Sequence, residues 1–168
     1  MFDTAAFVLA VLTGLFRLSE IAYGEVKTVA MRKDGGKEYA SWQRWPIFIG
    51  YGLWLALLPF YTLNNTKINP FFLVLFVLLQ LLRWWSIAHL GKYWTTRIMI
   101  VPNGKMVTTG PYRFLPHPIY IALLGEVVTL SLAFGQTSLA AFFGGLTAIW
   151  IYFRVKAENA ALAELNPN

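Results

Sequence analysis

The sequence predicts an all-α integral membrane protein with five transmembrane helices, the last two forming a tight helical hairpin preceded by an ordered cytoplasmic loop. Three observations carry this expectation. Of 168 residues, 57% are apolar and 13% charged, against roughly 45–50% and about 25% in a soluble domain. The mean hydropathy is +0.54, so lipid rather than water is expected to cover much of the surface. Lys and Arg also collect in alternate gaps between apolar runs, as cytoplasmic loops require. Residues 1–168 read as a single polytopic domain.

The first span is placed from about Thr4 to Ala22. Arg17 and Glu20 lie within it, and their i,i+3 spacing lets them pair on one face, against Arg83 or the loop, or lining an acceptor tunnel. MFDTAAF has no basic n-region or cleavage pattern, so this segment is expected to be retained as a helix. The second span follows from the 22 uncharged residues between Arg44 and Lys67, enough at about 1.5 Å each to cross a core of about 30 Å. The third runs from Asn69 to about Leu90, with Pro70 suited to the first helical turn. Arg83, near its end, is expected to snorkel to the surface. From Pro118 to Phe153 the chain is apolar except for Glu126, and FGQTS at 134–138 is the one turn signal, which implies two helices in a hairpin. Small residues recur every four positions there (Ala140, Gly144, Ala148; Thr137, Ala141, Gly145), a pattern suited to close helix packing.

Charge fixes the orientation. Lys27, Arg32, Lys33, Lys37 and Arg44 fall in one loop, Lys92, Arg97, Lys105 and Arg113 in another, and Arg154 and Lys156 in the tail, whereas Lys67 stands alone opposite them. The N-terminus is therefore expected outside and the C-terminus in the cytoplasm. The net charge of +6 forms no separate basic stripe, so nucleic acid is not expected as a partner. With no cysteine and two histidines, His89 and His117, no metal site is expected.

Polar residues gather in the C-terminal half. Pro102-Asn103-Gly104 and Gly110-Pro111 mark turns between short extended or irregular stretches. Pro118 suits a helix start, which leaves His117 at its N-terminus beside Arg113. Arg154 and Glu158 share a helix face at i,i+4. A hairpin brings both pairs to one side, bordered by Tyr112, Tyr120, Trp150 and Tyr152. Such a cluster can hold a zwitterion, its carboxylate towards Arg and its ammonium towards Glu. The plainer alternatives are a headgroup-level position for His117 and Arg113 and a helix-end ion pair for Arg154 and Glu158.

At these residues the chain resembles the isoprenylcysteine carboxyl methyltransferase family, particularly its short bacterial members, and more distantly the membrane phospholipid methyltransferases. The resemblance rests on Leu90-Gly91…Trp94, on Gly110-Pro111-Tyr112-Arg113-Phe114-Leu115-Pro116-His117-Pro118-Ile119-Tyr120, and on Arg154-Val155-Lys156-Ala157-Glu158-Asn159. Pro116 departs from the family's Arg-His-Pro and Asn159 from its Glu-Glu.

The resemblance implies a non-Rossmann S-adenosyl-L-methionine methyltransferase whose cofactor-binding core is 71–168, with 1–70 the first two spans. His117, Arg154 and Glu158 are the implied catalytic and cofactor-contacting residues; Tyr112 and Tyr120 shape the pocket and Pro118 fixes the helix start. The implied acceptor is a lipophilic small molecule or prenylated group entering from the bilayer, methylated on a carboxylate or on an enol or phenol hydroxyl. A phospholipid or amine N-methyltransferase and a non-catalytic membrane scaffold are the alternatives.

Overall fold

The computed structural model describes residues 4–61, 67–102, 104 and 106–163. Met1–Asp3, the end of the second apolar run at 62–66, Asn103 of the expected turn and Lys105 of the basic loop lie outside the described residues. Five helices carry the fold: α1 (Thr4–Lys33), α2 (Arg44–Tyr61), α3 (Pro70–Leu90), α4 (Pro118–Ala133) and α5 (Thr137–Ala163). To these the structure adds a two-stranded antiparallel sheet, β1 (Lys37–Tyr39) and β2 (Ile98–Ile100), in the register Lys37↔Ile100 and Tyr39↔Ile98. The all-α expectation is corrected to that extent: the basic loop after α1 and the irregular stretch after α3 pair with each other.

Among the described residues, three helical segments are long and apolar enough to cross a membrane: Thr4–Lys33, Pro70–Tyr93 and Thr137–Ala163. At 16 residues, α4 is about 24 Å long, short of a hydrocarbon core of about 30 Å. α2 has 18 residues and opens on Arg44. Large apolar side chains are exposed along the long helices, among them Leu18 (63%), Phe71 (69%) and Phe142 (61%), and such faces suit lipid tails rather than water.

α1 does not end at Ala22. Nothing between Tyr23 and Lys33 breaks a helix, and Arg32 and Lys33 in the last turn complement the negative end of its dipole. The helix stops where Gly35 takes φ +81° and the Gly36 N–H donates to the Met31 carbonyl at 2.8 Å, a glycine-based cap. Lys27, Arg32 and Lys33, expected in a loop, therefore lie on a helical extension.

α3 begins as expected, with Pro70 in the first turn and the Asn69 side chain accepting from the Phe71 N–H at 3.1 Å. α4 and α5 are joined through 134–136, with Gly135 at φ +69°, and pack on each other. A Cβ on Gly144 would lie 2.9 Å from Val128 Cγ2, so the Ala140–Gly144 row meets α4 closely. The Thr137, Ala141, Gly145 row is exposed. Trp54, Leu58, Val127, Leu130, Phe134 and Phe143 form the apolar core between α2, α4 and α5.

Beside the sheet, Glu38 accepts from Arg97 at 2.9 and 3.1 Å and from Arg32 at 2.7 Å. Burial alone would raise its carboxyl pKa, but the two guanidinium partners hold it below the usual carboxylate range. With the folded value depressed, the stabilisation is complete above the unfolded value of about 4.3 and lost as pH falls through the folded one. The melting-temperature gap between the wild type and Glu38→Gln is thus expected to be flat from about pH 8 to 6 and to close below about pH 4. A gap independent of pH would show that the Glu38 charge does not contribute.

Candidate active site

Pro118 is fully buried in the first turn of α4, and the preceding residue His117 leaves helical geometry (φ −136°, ψ 63°) while its carbonyl accepts from the Tyr120 and Ile121 N–H groups. One turn of α4 thereby sets His117 and Tyr120 side by side, their rings stacked at 5.5 Å. α5 arrives with Trp150, Arg154 and Glu158 at successive i,i+4 positions on one face. The Tyr120 hydroxyl joins the helices, donating to Glu158 Oε2 at 2.6 Å while accepting from Arg154 Nε at 3.3 Å. His117 Nδ1 lies 3.9 Å from the same Glu158 oxygen.

Arg154 is buried, 5% exposed. Its guanidinium lies 5.4 Å from the centre of the Trp150 ring, and Nη2 donates to the Thr96 carbonyl at 2.8 Å. Trp150 in turn meets Tyr120 edge-on and donates from Nε1 to the Gln43 carbonyl at 2.7 Å. Two polar positions stay open: among the described residues, neither Arg154 Nη1 nor Glu158 Oε1 has a hydrogen-bond partner. A cationic donor and an anionic acceptor thus stand on one helix face beside an aromatic wall, as a zwitterion needs.

Tyr112 lies in the 3₁₀ turn Gly110–Arg113. Burial raises its phenol pKa, the Glu158 carboxylate raises it further, and the Arg83 guanidinium opposes both. It therefore sits within electrostatic reach of the Arg154–Glu158 face and of a second, buried cluster, and stays a neutral phenol at physiological pH.

Sequence reasoning reached only part of that second cluster. Arg17 pairs with Glu20 as expected, and of the alternatives for that pair the structure shows packing against Arg83, which donates to Glu20 through Nε at 3.0 Å and Nη2 at 2.7 Å. Arg83 does not snorkel: its side chain is 9% exposed because its counter-charge lies inside. Arg17 reaches across to Glu126, which also accepts from the Tyr51 hydroxyl. Four helices thus contribute two arginines, two glutamates and a tyrosine. Among the described residues, the buried Arg83 Nη1 has no hydrogen-bond partner there. Glu126, the lone charge of its apolar run, was the signal that could have found this cluster.

The structure brings together His117, Tyr120, Trp150, Arg154 and Glu158 and sets Tyr112 within electrostatic reach. It leaves out Arg113, exposed over the neighbouring Phe114 ring at 5.8 Å, and Tyr152, 64% exposed on the other side of α5. Of the two motif departures, Pro116 is exposed, and Asn159 lines a shallow groove of about 460 Å³ with Tyr152, Val155 and Lys156. Neither makes a hydrogen bond to the cluster among the described residues.

Residues 72–164 match the family model described as the isoprenylcysteine carboxyl methyltransferase (ICMT) family. The chain belongs to this family. The match spans α3 to α5 and so contains every residue of the Tyr120–Arg154–Glu158 cluster. ICMT membership implies a membrane methyltransferase. A curated relative from Bacillus subtilis (strain 168), "Uncharacterized protein YpbQ", is 27% identical over 153 residues, covering 88% of this chain and 90% of the relative. That similarity extends beyond the ICMT region into the first two helices.

Proposed function

We propose that this protein is an S-adenosyl-L-methionine-dependent methyltransferase that O-methylates a lipophilic carboxylate reaching it from the bilayer. The observation that carries the reading is the pair of open groups on α5, Arg154 Nη1 and Glu158 Oε1, set against the His117, Tyr120 and Trp150 rings. Arg154 matches the cofactor's carboxylate, Glu158 its ammonium, and the aromatic wall its sulfonium by cation–π attraction. When bound, S-adenosylmethionine supplies an electrophilic methyl group.

The chain's own part is positioning. The buried Arg83 Nη1, which has no hydrogen-bond partner among the described residues, is suited to take one oxygen of an acceptor carboxylate. A carboxylate is already a nucleophile, so no general base is needed, and orientation in a site screened from water can contribute about 7–11 kcal/mol. An enol or phenol acceptor requires a proton acceptor, for which His117 and Glu158 are the candidates. An amine acceptor fits less well, because a guanidinium N–H only donates and offers no acceptor to an ammonium. A prenylated group and a free lipophilic acid both satisfy this chemistry.

The membrane reading that goes with this function has five spans, the shorter α4 packed on α3 and α5 and the shorter α2 on α1 and α5, in a bacterial cytoplasmic membrane. The N-terminus lies outside and the C-terminus in the cytoplasm, which puts the site at the cytoplasmic face. Residues 71–168 hold the cofactor, and 1–70 supply the first two spans.

The test is calorimetric titration of the detergent-purified protein with S-adenosylmethionine, followed by transfer of labelled methyl to matched lipophilic carboxylic acids, phenols and amines. Saturable binding and transfer to the acid, forming a base-labile ester, are expected. Absence of binding by folded protein at millimolar ligand would favour a non-catalytic scaffold; transfer confined to amines would favour N-methylation.

A further inference from the structure

Arg97 lies between the first helix and the candidate site, and its role is not explained by either alone. Its Nε and Nη2 donate to Glu25 of α1 at 3.1 and 2.8 Å, and Nη1 donates to Glu38 of β1 at 2.9 and 3.1 Å. On the other side of Thr96, the Thr95 hydroxyl meets that of Thr28 at 2.6 Å. α1 also approaches the backbone between them: a Cβ on Gly24 would lie 3.3 Å from Thr96 N. Thr96 is thus tied to α1 on both sides, and its carbonyl is the acceptor for Arg154 Nη2 at 2.8 Å.

A guanidinium is planar, so fixing two of its nitrogens fixes where the third points. Arg154 is fixed at Nη2 by the Thr96 carbonyl and at Nε by the Tyr120 hydroxyl, which sets the direction of the open Nη1. We infer that Arg97 is a positioning residue for methyl transfer: clamped by Glu25 and Glu38, it holds the Thr96 carbonyl so that Arg154 Nη1 faces the cofactor carboxylate. α1 and β1 lie outside the matched residues 72–164, yet they determine the aim of the Arg154 donor. The inference rests on the proposed cofactor site.

The test is a double-variant cycle on S-adenosylmethionine affinity, run on full-length protein with melting temperature as a control. Arg97→Gln is expected to raise the dissociation constant about tenfold, the worth of one charge-assisted hydrogen bond, with turnover at saturating cofactor little changed. Arg97→Lys is expected to rescue only partly, because a lysine cannot reproduce the forked contacts. In an Arg154→Lys background, which removes the planar fork that couples the Thr96 contact to the open donor, Arg97→Gln is expected to cost no further affinity. A full tenfold loss in that background, or unchanged affinity in Arg97→Gln alone, overturns the inference. Should Arg97→Gln fail to fold, Glu25→Gln with Glu38→Gln loosens the same clamp and is read identically.

A ligand-free readout separates this inference from the functional reading. In protein carrying ¹⁵N-labelled arginine, the Arg154 side-chain N–H signals, identified by their loss in Arg154→Lys, are expected to exchange with solvent at least several-fold faster in Arg97→Gln. Wild-type protein that binds no S-adenosylmethionine but shows faster exchange in the variant would overturn the functional reading and leave the clamp standing. Unchanged exchange overturns the clamp whatever the protein binds.

Discussion

Glu126→Leu is expected to yield little folded protein, whereas Glu126→Leu combined with Arg17→Met is expected to recover most of it. Glu126 is 1% exposed and accepts from Arg17 and Tyr51. Arg17 and Arg83 are balanced by Glu20 and Glu126, so the buried cluster is formally neutral. Removing Glu126 leaves one uncompensated positive charge among packed helices, a loss that costs about 3–5 kcal/mol, a large share of the roughly 5–15 kcal/mol by which a domain is stable. Removing Arg17 as well restores neutrality, and apolar replacement of a whole buried pair is often nearly neutral. Monodisperse recovery in detergent and the melting temperature of both variants decide the matter. If Glu126→Leu melts with the wild type, the cluster adds nothing to stability.

That cluster also marks where the sequence stops being legible. Arg17 and Glu20 are three residues apart, and local spacing alone predicts their contact. Arg83 and Glu20 are 63 positions apart and Arg17 and Glu126 are 109, and one sequence does not reveal which helices adjoin. A lone arginine near the end of an apolar run therefore reads as a snorkelling side chain, although its counter-charge lies inside. The sheet was hidden for a similar reason: strands of three residues are too short for an alternating pattern, and β1 meets β2 only after α2 and α3 intervene.

Helix phase was more informative. Trp150, Arg154 and Glu158 recur at i,i+4, and the structure confirms their shared face. Tyr152 is two positions from both Trp150 and Arg154, about 200° around a helix of 3.6 residues per turn, so its exclusion was calculable. Pro70 and Pro118 likewise announced the starts of α3 and α4, because proline's fixed φ and missing N–H suit a first turn. The end of α1 lies well beyond the charge boundary near Ala22. A cationic helix can leave the membrane without ending, and α1 ends only where Gly35 and Gly36 permit the turn.

The second large effect is expected at Glu158. Glu158→Ala should weaken S-adenosylmethionine binding by about 10- to 100-fold, as loss of a hydrogen bond to a charged group, worth about 1.5–3 kcal/mol, requires. The melting temperature should change little, since Glu158 is 30% exposed and, among the described residues, makes no direct ion pair with a buried arginine. Tyr120→Phe discriminates further. That change removes the hydroxyl that donates to Glu158 at 2.6 Å and accepts from Arg154 at 3.3 Å, but leaves both charges in place. If Glu158 binds the ammonium directly, Tyr120→Phe should cost less than Glu158→Ala, and Glu158→Gln, which keeps size and hydrogen bonding but loses charge, should fall close to Glu158→Ala. Glu158→Gln binding as tightly as wild type would show that charge is not what the cofactor meets there, and would return the Arg154–Glu158 face to a structural role.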